Sequence, residues 1–283
     1  MYNLKLIIAF LLIQGVSLSA GAVEVKVGDR LINVPLPDGF VELTPKMSPY
    51  YETMRAYIAP SNIRYLTLIT EDRAEALLRG EHVELDRYMN VESEKGISAT
   101  SVSSGQFMEL RSIFRNQIDD MYANVEKQLP EIVTEGNKTV SAEFAADIAV
   151  ELGGLVPFPV HLDTDNAIAN SMFMTVSATV DDEDVGTDVL AATTLFLHVK
   201  DKVIFLYVYG SKSEVDWTRE AAAMWATDIV TANPLSSDEK RAVDKSDSFG
   251  INWSQVLEKA LIGALVGGVI GLVSFFFRKR KKR

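Results

Sequence analysis

Apolar and polar positions follow two distinct rhythms along this chain. Val23-Glu24-Val25-Lys26-Val27 alternates with a period of two and Leu31 to Leu36 is again extended. Gly28-Asp29 separates the two runs and Pro37-Asp38-Gly39 closes the second, so two strands with turns are predicted. Met54 to Ile58 and Arg64 to Ile69 flank Ala59-Pro60-Ser61-Asn62, which predicts a hairpin, and Asp72 to Arg79 is a short helix candidate. From Phe107 the period lengthens. Phe107, Leu110, Phe114, Ile118, Met121, Val125 and Leu129 recur at spacings of three and four, one face of a long amphipathic helix. Ser103 and Gln106 have capping-box spacing at its start, and Pro130 is expected to end it. The same rhythm fits a coiled coil, but too few heptads are present to favour that over packing on a sheet.

Ser141 to Gly153 reads as helical or mixed. Met172 to Val180, Ala191 to Val199 and Val203 to Tyr209 read as strands, the last two separated by Lys200-Asp201-Lys202, so an antiparallel meander is predicted. Glu214 to Ala232 carries Val215, Ala221, Ala222, Trp225 and Ile229 on one face, with Ser213 and Asp216 as its cap and Asn233-Pro234 as its stop. The fold class expected is therefore α+β, an antiparallel sheet packed by a long central helix and a closing helix. From Ser236 the chain turns polar, a linker extending to residue 255.

Residues 256–277 then read as a single C-terminal transmembrane helix. Its stretch Ala260 to Phe277 holds no charge and rises about 27 Å, close to the thickness of a bilayer's hydrocarbon core. The tail 278–283 is entirely basic, with Arg278, Lys279 and Arg280 at the membrane interface, and belongs on the cytoplasmic side. Trp253 suits an aromatic anchor at the opposite interface. At the other end, Lys5, the apolar run Leu6 to Ile13 and the triplet Ala20-Gly21-Ala22 give residues 1–22 the layout of a signal peptide, with cleavage after Ala22 or Ala20 or retention as an anchor. Residues 23–235 would then form an exported ectodomain in the periplasm or extracytoplasmic space. Its periodic elements imply that residues 23–234 fold alone.

Composition changes this picture in two ways. The chain has no cysteine, so the ectodomain must hold together by core burial, and a lipidated N-terminus is excluded. Its formal net charge is −11, and setting aside Lys5 and the basic tail leaves −18, which argues against nucleic acid or an anionic lipid surface as a partner of the ectodomain.

Candidate chemistry is sparse. His82 stands among Glu81, Glu84 and Asp86, and His161 precedes Asp163 and Asp165, but single histidines beside carboxylates lack the clustered spacing of zinc ligands. Asp181-Asp182-Glu183-Asp184 with Asp188 misses the EF-hand pattern and reads as a solvated turn. His198 lies inside a strand-like run. The chain has no G-x-S-x-G elbow and no H-E-x-x-H helix, and Gly136-Asn137-Lys138-Thr139 lacks the Gly-Lys pair of a phosphate loop. No catalytic residue, cofactor or metal is assigned, although carboxylate pairs acting as acid and base remain the enzymatic alternative.

The most specific motif lies in the C-terminal helix, where Gly263, Gly267 and Gly271 recur every four residues beside Gly268. Such a stripe lets backbones approach closely, which predicts self-association or pairing with a protein partner in the bilayer. A spacer, an apolar helix and a basic cluster also resemble processed C-terminal sorting signals of the PEP-CTERM and GlyGly-CTERM kind. Asn252-Trp253-Ser254-Gln255, however, contains neither recognition motif.

The order of elements after Leu36-Pro37-Asp38-Gly39-Phe40, with a long helix, a meander and a closing helix containing Trp225, resembles the PsbP-like and DcrB-like α+β domains across residues 23–233. The long helix around residues 106–129 departs from those smaller domains. The resemblance implies an accessory or binding module. The function expected is a non-enzymatic, membrane-tethered extracytoplasmic binding domain.

Overall fold

The computed structural model describes residues 21–144, 147–235 and 250–280, the last stretch by backbone alone from residue 269 on. Two short strands, β1 (Ala22–Val27) and β2 (Arg30–Pro35), form a separate antiparallel hairpin. Then come β3 (Phe40–Glu42), α1 (Tyr50–Ala56), β4 (Asn62–Thr70), α2 (Glu71–Leu78), β5 (Tyr88–Glu94) and the long α3 (Ser104–Phe144). The second half contains β6 (Ile148–Pro157), β7 (Leu162–Asp163), β8 (Ala167–Val180), β9 (Glu183–Val199), β10 (Lys202–Ser211), α4 (Val215–Ala232) and α5 (Trp253–Arg280). One eight-stranded sheet runs in the order β3-β4-β5-β10-β9-β8-β6, with β7 also paired to β8, and its pairings are antiparallel.

The sheet is covered on both faces, so its central strands bury every side chain. On β10, Val203, Phe205, Tyr207 and Tyr209 enter one core with α1, α3 and α5, while Ile204, Leu206 and Val208 enter a second with the β1–β2 hairpin and α4. In the second layer Trp225 donates its indole N–H to the Pro35 carbonyl at 2.8 Å, and the Asn233 amide bonds both the N–H and the C=O of Asn33, so the closing helix is pinned to β2. The expected meander is present as β8, β9 and β10. Asp181-Asp182 and Lys200-Asp201 are two-residue turns with positive φ at both positions, the geometry that matches the twist of the strands they join. The acidic cluster at 181–184 is thus the β8–β9 turn and the strand start beyond it.

Three local expectations are corrected. Residues 50–56 form a helix that takes up the first part of the expected strand Met54 to Ile58, because Tyr50, Met54 and Tyr57 lie at helical spacing and are all buried. The long helix opens on the expected capping box, in which Ser103 N–H donates to Gln106 Oε1 at 2.8 Å and Gln106 N–H to Ser103 Oγ at 3.3 Å. It runs through Pro130 to Phe144, however, since buried Val133 continues its apolar face and outweighs the lost backbone bond. The capping box expected at Ser213 and Asp216 lies two residues earlier, on the 3-10 turn Lys212–Glu214 that leads into α4, where Ser211 N–H donates to Glu214 Oε2 at 2.8 Å.

The largest correction concerns the C-terminal helix. A helix is present, starting at Trp253 inside the expected linker, but among the described residues no helix is long and apolar enough to cross a membrane. Its residues 253–268 complete the first layer of the fold, with Trp253, Leu257, Ala260, Leu261, Ala264 and Leu265 essentially inaccessible. An all-round apolar helix is the signature of a bilayer span and of a helix enclosed by protein alike, which is why hydropathy alone pointed to lipid. The expected signal sequence up to residue 20 and the linker from Ser236 to residue 249 lie outside the described residues. Ala22, the expected cleavage position, is the first residue of β1.

Candidate helix-docking groove

Beneath α5 the sheet face is polar. On β5, Tyr88, Asn90, Glu92 and Glu94 share this face at intervals of two, and β10 sets Tyr209 opposite Tyr88 and Tyr207 opposite Asn90. From β4, Arg64 Nε pairs with Glu92 Oε1 at 2.8 Å, and the remaining guanidinium nitrogens donate to the carbonyls of Met54 and Tyr57 at 2.6 and 2.9 Å. The Asn62 amide donates to the other Glu92 oxygen at 3.0 Å, and Thr67 donates to Asn90 Oδ1 at 2.9 Å. The pair is enclosed, with 6% and 0% of the two side chains exposed. On β8, Asn170 joins the same face through Tyr122 of α3.

Three tyrosines on this floor hold α5 by its backbone. Tyr207 donates to the Ala260 carbonyl and Tyr209 to that of Ala264, each at 2.7 Å, while Tyr88 reaches the carbonyls of Gly267 and Gly268 at 3.0 and 3.1 Å. Positions 260, 264 and 267–268 lie on one helical face. Only a face of glycine and alanine leaves its carbonyls open to a side chain from below. A Cβ on Gly263 would collide with Asn62 Nδ2 and the Tyr207 hydroxyl, one on Gly267 with the Tyr209 hydroxyl, and one on Gly268 with Met174. Burial, foremost, and the neighbouring Glu92 push the Tyr207 and Tyr209 hydroxyls well above the usual tyrosine range, so both remain donors at neutral pH. Lys259 closes the upstream end with an ion pair to the buried Glu94 at 2.8 Å, and Glu258 accepts from Asn124 of α3 at 3.0 Å.

The covering is imperfect. Asn90 Nδ2 and Thr194 Oγ1 on the floor and Trp253 Nε1 on the helix are buried without a hydrogen-bond partner. Each such group costs about 1–3 kcal/mol relative to its hydrated state, comparable to what each tyrosine bond contributes.

Of the residues singled out in the sequence, Gly263 and Gly267 are brought together here, turned toward the sheet. Gly271, Arg278, Lys279 and Arg280 belong to α5, but their surroundings lie outside the described residues. Trp253 is 1% exposed inside the fold, where it packs with Val256 and Leu257 in the first core. The floor itself escaped the sequence reading. The one available signal was the β5 sequence Tyr-Met-Asn-Val-Glu-Ser-Glu, whose polar residues at every second position read as solvent-facing.

The other candidates are dispersed. His161 lies near Arg219 on the opposite side of the sheet, where partial burial and that guanidinium depress its pKa to about 4. Gly136 to Thr139 are helical, and Asn137 bonds the backbone of Val150 in both directions to join α3 to β6. His198 stacks on Phe107 at 5.2 Å with its Nε2 2.7 Å from the Val102 carbonyl. Burial lowers its pKa, so the unfolded chain takes up a proton before the folded one. Its stabilising contribution is complete above about pH 6.5 and is lost as the pH falls below that value. The melting temperature of His198→Gln should therefore fall less than that of the parent between pH 7.5 and 5, and parallel profiles would refute this.

No protein-family model matches the chain, and comparison with curated proteins finds no match. Among solved structures, the solution structure of cyanobacterial PsbP (CyanoP) from Synechocystis sp. PCC 6803 is similar at 11% identity. The match covers 78% of this chain and 96% of that one, with a TM-score of 0.27. This is a weak PsbP-like resemblance, and it says nothing of activity or partners.

Proposed function

We propose that this protein is a non-enzymatic extracytoplasmic binding or accessory domain, attached to the cell membrane through its C-terminal helix. The observation that carries the binding role is the groove, whose three tyrosine hydroxyls grip a helix by its carbonyls while Glu94 pairs with its Lys259. The two buried carboxylates there support binding over acid–base chemistry, because Glu92 is committed to Arg64 and Asn62, and Glu94 to Lys259. Attachment is supported by the uncharged run Ala260 to Phe277 with its basic tail, and export by the leader-like N-terminus. A reporter enzyme active only outside the cytoplasm, inserted after Ser236, should be active, and the chain should sediment with membranes. Reporter activity confined to the cytoplasm would remove the reading.

A further inference from the structure

We propose that α5 has two alternative seats, the tyrosine-floored groove and a lipid bilayer, so that membrane entry of the helix empties the groove. The inference rests on the membrane attachment proposed above and adds the fate of the site. Three observations meet here. The run Ala260 to Phe277 is uncharged in sequence, and a helix placed in lipid keeps its backbone bonds satisfied internally. In the structure the same helix covers a floor that a permanent apolar lid does not call for: an enclosed Arg64–Glu92 pair, two asparagines and two partnerless polar atoms. Water can serve every one of those groups once the helix departs, so only the apolar side chains that α5 packs with in the first core oppose its release.

The attachment is also of a kind that releases as a unit. Three hydroxyls reaching four carbonyls and the Lys259–Glu94 pair act on the helix from one side, and none replaces a backbone bond within it. The glycines therefore serve the docked state, giving the tyrosines access to the carbonyls. The same residues cost little in lipid, where small side chains are tolerated along a helix face.

The test uses the full chain in detergent-free buffer and vesicles of phosphatidylcholine, whose neutral surface keeps the basic tail from binding by charge alone. Flotation reports membrane entry, and nitration of Tyr88, Tyr207 and Tyr209 with tetranitromethane, read peptide by peptide, reports whether the floor is covered. The expected result is protection of all three tyrosines in buffer and at least a fivefold rise in their nitration in the floated fraction. Gly267→Leu, whose side chain collides with Tyr209, should expose the floor without vesicles and raise the floated fraction. Flotation with the tyrosines still protected overturns the two-seat proposal and leaves membrane attachment standing. Failure to float overturns both. A chain that stays in solution only with detergent lacks the docked seat and also overturns the proposal, whether or not the glycine variant folds.

Discussion

A chain ending at Leu235 is expected to remain folded but to melt roughly 10 °C or more below the full chain. What it loses is clear from the core around α5: Trp253, Val256, Leu257, Leu261 and Leu265 are all buried there. Each leucine so buried stabilises by about 1.5–3 kcal/mol before the cost of ordering the helix is set against it. What it keeps is the sheet, the second core beneath α4 and the β1–β2 hairpin, and α3 along the other half of the first layer. The polar groups of the uncovered floor hydrate, which limits the loss to several kcal/mol, and about 1 kcal/mol corresponds to 2–4 °C in a domain of this size. Thermal unfolding of residues 23–235 and 23–283, followed by far-ultraviolet circular dichroism, makes the comparison. Equal melting temperatures would mean that α5 contributes nothing to the folded domain. A shorter chain without a cooperative transition would mean that the groove cannot stand empty.

The elements legible in the sequence are those whose partners are local. The capping box at Ser103 and Gln106, the stripe from Phe107 to Leu129 and the apolar runs of β9 and β10 each announce themselves within a few residues. What could not be read depends on groups far apart in the chain. Gly263 and Gly267 match a lipid-facing helix contact as well as they match Tyr207 and Tyr209, because the sequence shows that a close approach occurs without showing to what. Strand β5 went unread for a related reason: its Asn90, Glu92 and Glu94 look like an exposed face, and only Arg64, Asn62 and Lys259, brought in from other elements, make their burial affordable. Met54 to Ile58 reads as a strand because a helix of barely two turns gives too short a stripe to distinguish the two periods.

Arg64→Met should destabilise the protein by about 3–5 kcal/mol, since it leaves the Glu92 carboxylate enclosed in the sheet without its counter-charge. The same substitution frees the carbonyls of Met54 and Tyr57, to which the guanidinium donates at the end of α1, so the loss should reach the α1–α3 contact as well. Glu92→Gln should cost a similar amount by stranding the arginine, although the Met54 and Tyr57 carbonyls remain to solvate it. Combining the two removes both charges. A methionine is close in length to the aliphatic part of arginine, and a glutamine can still accept from Asn62, so the double variant should recover part of the loss instead of summing the single effects. Urea unfolding of the four proteins gives the coupling energy directly. A value indistinguishable from zero would show that the ion pair does not organise the floor, and the positions of Tyr207 and Tyr209 under α5 would then have to be set by the strand backbones alone.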